Sequence, residues 1–208
     1  MSKALSDFLE LVTPPGAHMS VIAIHPVNQQ CFGQAYTRES IPAAVAWLAQ
    51  RQEWNQYWTP NPLKRALNKK PLKDNVAQMR WVHADIDVLT EDALARLRGY
   101  RLPPSMIIMS GGGYQAFWKL REPIAVNGNI AELEAANLRV LQDLDPAHPG
   151  TQNLDRIMRL PGTTNWPTEA KLAKGRKPVQ AMLIEAHPER VYSLDDFGAP
   201  APGPQPKP

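Results

Sequence analysis

Cysteine is all but missing: Cys31 is the single thiol in 208 residues. Neither a disulfide framework nor a thiolate zinc module can be built from one sulfur, so no zinc is expected and a reducing, cytoplasmic setting fits. Long apolar runs are missing too. No stretch approaches the roughly 20 residues of a membrane span, and Asp7 and Glu10 interrupt the N-terminal segment that a secretory signal would need unbroken. Nor does one charge dominate: 23 Lys and Arg against 20 Asp and Glu leave a net charge of +3, which excludes a histone-like coat and shifts the weight to where basic residues cluster. No repeat recurs at the period of about 20 to 50 residues that marks a solenoid.

What is present suffices for one domain with a sizeable core, at 43% hydrophobic residues. Proline is the residue in excess, 21 in all, and five of them fall within Ala199–Pro208. That segment cannot bury apolar area and reads as an extended linker. The expected organisation is therefore a catalytic domain over 1–197 and a Pro-rich linker over 198–208 leading to a further domain.

Hydrophobic spacing predicts mixed elements. Leu5, Phe8, Leu9 and Val12 follow i, i+3, i+4, i+7 and predict a first helix ended by Pro14-Pro15-Gly16. Further helices are expected over 41–52, with Ser40 as N-cap and Pro42 in the first turn, over 90–97 capped by Thr90, and from about Asn129, where Ile130, Leu133, Leu141 and Leu144 share a face. Strands are expected over 19–25, 56–59, 79–88, 105–109, 114–120, 156–160 and 179–185. Strands so interleaved with helices predict an α/β or α+β sheet domain.

The sharpest chemical signal is Trp81-Val82-His83-Ala84-Asp85-Ile86-Asp87-Val88. A strand's period of two puts Asp85 and Asp87 on one face while Val82, Ala84, Ile86 and Val88 turn to the core. Adjacent carboxylates repel unless a cation lies between them, and hard oxygen donors suit Mg²⁺ or Mn²⁺. His83 shares their face and reads as a hydrogen-bonded structural residue. A two-ion site needs a third carboxylate from a neighbouring strand. Asp155, ahead of Arg156-Ile157-Met158-Arg159-Leu160, is the candidate, placed at a strand edge; Asp143 and Asp145 read as turn residues.

Ser110-Gly111-Gly112-Gly113 separates two expected strands, so backbone N–H groups there can approach an anion without an intervening Cβ, although a plain hairpin turn uses glycine equally well. The turn lacks the Lys-Ser/Thr of a Walker loop and the helix of a dinucleotide fingerprint. Lys64, Arg65, Lys69, Lys70, Lys73 and Arg80 cluster ahead of the acidic strand, and Lys171, Lys174, Arg176 and Lys177 follow the last motif. Two basic runs bracketing an acidic site point to a phosphate-rich partner. Trp54, Tyr57 and Trp58 beside the first run are candidates either for stacking on bases or for the core.

Taken in order, these segments resemble the archaeo-eukaryotic primase superfamily, in particular the small primase-polymerase domains of plasmids and phages. His83-Ala84-Asp85-Ile86-Asp87 is similar to the first motif and Ser110-Gly111-Gly112-Gly113-Tyr114-Gln115 to the second. Asp155-Arg156-Ile157-Met158-Arg159-Leu160-Pro161-Gly162-Thr163-Thr164-Asn165 is similar to the third. The resemblance implies an RRM-like antiparallel catalytic sheet packed with an N-terminal α/β unit. It implies two-metal nucleotidyl transfer by a DNA primase or polymerase, with Asp85, Asp87 and Asp155 holding two Mg²⁺ or Mn²⁺ ions. Ser110, Gly112, Gln115 and Arg159 would bind the NTP or dNTP, and Lys64, Arg65, Lys69, Lys70 and Lys73 would grip a single-stranded DNA template with its primer. A helicase domain or subunit is the partner the family suggests. Gln115 departs from the pattern, standing where the second motif commonly carries histidine. Two other readings remain open: a DNA-binding replication module that kept the fold and lost catalysis, against which the three carboxylates argue, and another metal-dependent phosphoryl transferase such as a nuclease. The absence of a His-x-His pair disfavours a rolling-circle relaxase.

Overall fold

The computed structural model describes residues 2–145 and 150–198; the expected linker beyond Gly198 lies outside the described residues. Leu5, Phe8, Leu9 and Val12 form one buried stripe along α1 (Ser2–Val12), as their spacing requires. After the proline turn come β1 (Met19–Ile24) and β2 (Cys31–Tyr36), then α2 (Ile41–Ala49) and β3 (Asn55–Trp58). The α1 stripe packs on α2, and Phe8 meets Trp58 edge-on with ring centroids 5.1 Å apart. Ser40 does not cap α2 as expected: it closes a 3₁₀ turn over Arg38–Ser40, where its Oγ accepts from the Thr37 N–H at 2.8 Å. The strand β2 has no counterpart in the sequence reading, because Cys-Phe-Gly-Gln-Ala-Tyr lacks a regular apolar alternation and only Gly33 and Tyr36 are buried. Pairing with β1 imposes it.

Next in the chain are β4 (Gln78–Ile86), α3 (Glu91–Arg98), β5 (Met106–Met109), β6 (Tyr114–Ala125) and α4 (Ile130–Leu144). Thr90 caps α3 as expected, its Oγ accepting from the Ala93 N–H at 3.2 Å. Val82, Ala84 and Ile86 point from β4 into a core shared with Ala93 and Leu97 of α3 and Leu133, Ala136, Val140 and Leu141 of α4. The opposite parity carries Trp81 into a second core with Phe117, Trp58, Met19 and the α1 stripe.

The remaining elements are short: β7 (Met158–Arg159), β8 (Thr164–Asn165), α5 (Glu169–Leu172), β9 (Val179–Gln180), β10 (Met182–Ala186) and β11 (Val191–Tyr192). One antiparallel sheet has the order β2-β1-β3-β7, a second is built on β6 with β4 on one side and β5, β10 and β11 on the other, and β8 pairs β9. All pairings are antiparallel except β11 with β6. The strand expected over 179–185 is divided at buried Ala181, its first part joining β8 and its second β5. The architecture is thus α/β with antiparallel sheets, as the sequence predicts. No helix among the described residues is long and apolar enough to cross a membrane.

Candidate active site

The two larger sheets meet at a polar cleft of about 330 Å³. Sheet register explains which side chains reach it. In β4 and β6 Asp85 pairs with Gln115, and in β3 and β7 Tyr57 pairs with Arg159, so each pair projects to one face. The cleft gathers Asp85, Asp87 and Asp155 with Lys70, Arg156, Arg159, Lys171 and Arg176, five cations against three carboxylates. Ser110, Gly112 and Gln115 also line it. All three predicted carboxylates and all four predicted nucleotide-binding residues therefore share one cavity.

The strand ends earlier than expected. At Ile86 β4 stops, leaving Asp85 within the sheet and buried while Asp87 stands exposed beyond it. Both oxygens of Asp85 are engaged: Arg156 Nη2 donates to Oδ2 at 2.7 Å and Gln115 Nε2 donates to Oδ1 at 3.2 Å. The other end of the Gln115 amide accepts the Arg159 backbone N–H at 2.8 Å. Gln115 thus ties the two sheets together across the cleft, and its donor–acceptor polarity is the one these partners need.

Asp155 occupies a turn with Leu154, not the strand edge expected, because β7 is only the two residues Met158–Arg159. Four side chains set that turn beside β4. His83 Nε2 contacts the Thr151 carbonyl at 3.2 Å, and Asn137 Nδ2 donates to the Gln152 carbonyl at 2.8 Å. Glu134 accepts the Leu154 N–H at 2.9 Å, and Asn61 Nδ2 donates to the Leu154 carbonyl at 3.2 Å. Asn61 and Asn137 also accept backbone N–H groups of Arg80 and His83, satisfying the free edge of β4. His83 is wholly buried, and desolvation pushes its pKa down to about 4, only partly opposed by the Thr151 carbonyl. It is a neutral structural histidine, as the sequence reading expects.

Arg159 is 7% exposed. Its guanidinium donates to Asn55 Oδ1 at 2.8 Å, Tyr57 Oη at 3.1 Å and Asn165 Oδ1 at 2.8 Å, and lies 4.3 Å from the Tyr57 ring centroid. All three partners are neutral. Burial draws its pKa down while Tyr57 and Asp85 raise it, and an arginine so placed keeps its charge. The result is a fixed cation, facing the cleft, with no carboxylate bonded to it.

The triple glycine is a tight β5–β6 turn: Ser110 N–H donates to the Gly113 carbonyl at 2.9 Å. Two of the glycines are required, one by its backbone conformation and one by a close approach. Gly111 has φ 89°, and a Cβ on Gly113 would sit 1.8 Å from the Ile86 carbonyl oxygen. Only Ser110 and Gly112 line the cleft.

Of the predicted template residues, Lys70 lines the cleft and Lys64, Arg65 and Lys69 are exposed, whereas Lys73 is paired with Glu134 at 2.8 Å. Of the three candidate stacking rings, Trp58 is core, Tyr57 lies under Arg159, and Trp54 stacks on Phe32 at 5.6 Å. Sequence reasoning did not assign Asn55, Tyr57, Asn165, Arg156, Lys171 or Arg176 to the site. The third motif contains two of these and the second basic run two more, so that signal was present; Tyr57 was noted only as a ring that could stack on bases, and Asn55 carries no signal.

Asp85, Asp87 and Asp155 all line the cleft and are the hard oxygen donors a Mg²⁺ or Mn²⁺ ion takes, and the Arg156 guanidinium on Asp85 stands where a cation is wanted. The donors fit such an ion in kind. As arranged, no three His, Cys, Asp or Glu side chains among the described residues are close enough to hold one.

No family model and no curated protein sequence matches the chain. Solved structures do. The archaeo-eukaryotic primase domain of the cyanophage S-2L primase-polymerase aligns with a TM-score of 0.59 at 16% identity, over 93% of this chain and 94% of that one. Primase RepB′ aligns at 0.65 and 16% identity over 94% of this chain, which spans 60% of that protein. The catalytic domain of RepB′ in complex with initiator DNA aligns at 0.63, again at 16% identity, over 94% and 90% of the two chains. The chain therefore has the fold of primase-polymerase catalytic domains.

Proposed function

We propose that this chain is a nucleotidyltransferase of template-directed synthesis, a DNA primase or polymerase serving replication of a plasmid, phage or other mobile element. One observation carries the reading: Asp85, Asp87 and Asp155 share a cleft with Arg159, a fixed guanidinium bonded only to neutral partners. Carboxylates sharing a cleft with a cation bonded only to neutral groups suit a substrate that brings both an anionic phosphate chain and a hydroxyl to be activated. The shared fold with primase-polymerases supports it.

In the reaction, the 3′-hydroxyl of a primer or of a first nucleotide attacks the α-phosphate of an incoming nucleoside triphosphate, and pyrophosphate leaves. Asp85, Asp87 and Asp155 would hold Mg²⁺ or Mn²⁺, which when bound lowers the pKa of the attacking hydroxyl and neutralises the triphosphate. Arg159 would receive charge on the departing phosphates. Because Asn55, Tyr57 and Asn165 already hold its guanidinium, little reorganisation is needed at that moment. Lys171 and Arg176 extend the same cationic side, and Ser110 and Gly112 line it. Gln115 acts from behind, fixing Asp85 and the Arg159 backbone. Exposed Lys64, Arg65, Lys69 and Lys70 would follow template phosphates, giving affinity that is sequence-independent and salt-sensitive. The initiator DNA held by the RepB′ catalytic domain supports a DNA partner.

A 5′-labelled primer annealed to a longer template, incubated with Mn²⁺ and dNTPs or NTPs, tests the reading. Lengthening by the wild type and none by Asp155→Asn is expected. Shortening of the label would instead make the chain a nuclease.

A further inference from the structure

Of the three arginines that line the cleft, two are held in opposite ways. Arg159 is fixed by three side chains and nearly inaccessible. Arg156 makes one side-chain contact, with Asp85 Oδ2 at 2.7 Å, and its side chain is 32% exposed against 12% for Asp85. A long side chain anchored at one point beside open cleft can turn with little disturbance of the fold. Its backbone leaves the Leu154–Asp155 turn, the element that delivers Asp155.

The contact has a plain electrostatic reason. Asp85 is buried, and although Arg159 is near enough to feel its charge, that guanidinium is bonded to Asn55, Tyr57 and Asn165 instead; a carboxylate so placed needs a positive charge in direct contact. Gln115 supplies only a neutral donor on Oδ1. The guanidinium on Oδ2 is therefore the counter-ion of Asp85, and a divalent cation cannot take that oxygen while Arg156 keeps it.

We propose that Arg156 is a latch on Asp85: it holds the carboxylate until a divalent cation displaces it, and the freed guanidinium then turns to the nucleotide's phosphates, coupling cation and nucleotide binding. The inference rests on the reading of the cleft given above. Arg156 lines the same cavity as Arg159, Lys171 and Arg176, and a guanidinium presents the planar fork that grips phosphate oxygens in pairs. A purely structural ion pair would weaken every ligand of the cleft when broken. A latch moves the two ligands in opposite directions.

The test measures Mn²⁺ binding by electron paramagnetic resonance, without nucleotide, for the full chain, Arg156→Gln and Arg156→Lys. Removing the competitor should tighten Mn²⁺ binding by up to about fivefold, the order expected for one partly exposed ion pair, while Arg156→Lys keeps most of the wild-type weakness. A nucleoside triphosphate titrated at saturating Mn²⁺ should bind Arg156→Gln more weakly than wild type. Unchanged or weakened Mn²⁺ binding in Arg156→Gln, with DNA synthesis intact in the wild type, overturns the latch alone. If no chain binds Mn²⁺ even with triphosphate present, the reading of the cleft as a metal-dependent site fails and the latch with it.

Discussion

Alanine at position 113 should damage the fold and with it the site, whereas alanine one residue earlier should leave the stability of the fold unchanged. A Cβ on Gly113 would lie 1.8 Å from the Ile86 carbonyl oxygen, and ordinary contact begins at 3.4 Å. Backbone must therefore move by about 1.6 Å, since no flexible side chain can yield there. The obstruction falls where Ile86 pairs with Tyr114, next to the Asp85–Gln115 pair. Overpacking of a rigid site costs about 1–3 kcal/mol and occasionally more; with backbone on both sides the upper end applies. For a chain of this size about 3 kcal/mol corresponds to a Tm lower by roughly 6–12 °C. A shift of about 1 Å at reacting groups costs on the order of 100-fold in rate. At Gly112 the nearest atom is Arg176 Nη1 at 3.0 Å, the free end of an exposed side chain, so Gly112→Ala should stay within about 0.5 kcal/mol of wild type. Urea titration followed by circular dichroism, with primer extension in parallel, reads both effects. Equal midpoints for Gly113→Ala and wild type would refute the claim that the turn's last glycine is required by the approach of β4.

Burial of neutral His83 should make the fold sensitive to acid. Its folded pKa of about 4 lies below the ordinary 6.5, so protons bind the unfolded chain first, and the stability it contributes is complete above pH 6.5 and lost as pH falls toward 4. The loss is about 1.4 kcal/mol per pH unit within that window; His83→Gln should flatten the slope of urea stability between pH 6.5 and 5, and an unchanged slope assigns the acid sensitivity elsewhere. Lys69→Ala with Lys70→Ala should weaken single-stranded DNA binding similarly for all sequences and reduce the slope of log affinity against log salt by about 1.4, at roughly 0.7 per phosphate contact; fluorescence anisotropy over a salt series measures it, and an unchanged slope removes these lysines from the DNA path. Arg159→Lys should weaken nucleotide binding by roughly tenfold or more, because an ammonium cannot satisfy Asn55, Tyr57 and Asn165 and still face phosphate; calorimetric titration with dNTP and Mn²⁺ reads it, and wild-type affinity would contradict the assigned role.

What could be read in the chain follows the range of the forces involved. Strand parity placed Asp85 against a core of Val82, Ala84 and Ile86, because that pattern is local and its period is set by the backbone. The end of β4 at Ile86 was not readable: Val88 continues the alternation, and the strand stops because beyond the Ile86–Tyr114 pair its partner β6 gives way to the Ser110–Gly113 turn. Asp155 was correctly brought to the cleft, yet its turn is held by Asn61, His83, Glu134 and Asn137, up to 93 residues away, and nothing in Asn-Leu-Asp-Arg foretells those contacts. The socket of Arg159 is equally remote, since Asn55 lies 104 residues from it. Arg156 shows a different limit. Sequence displays its charge, but only the folded chain decides that Asp85, and not adjacent Asp155, takes it. β2 escaped notice because a strand with one face under the Lys69 backbone at Gly33 and another open to solvent carries no clean periodicity.

The central claim is that the carboxylates of this cleft carry out nucleotidyl transfer. The most direct measurement incubates single-stranded template with labelled nucleotides and Mg²⁺ or Mn²⁺, with and without primer, comparing wild type with Asp85→Ala plus Asp87→Ala. The account predicts metal-dependent product from the wild type and none from the double variant, with the unprimed reaction separating a primase from an extending polymerase. Binding of single-stranded DNA by both chains with no product from either would contradict it and leave a replication module that binds without synthesis.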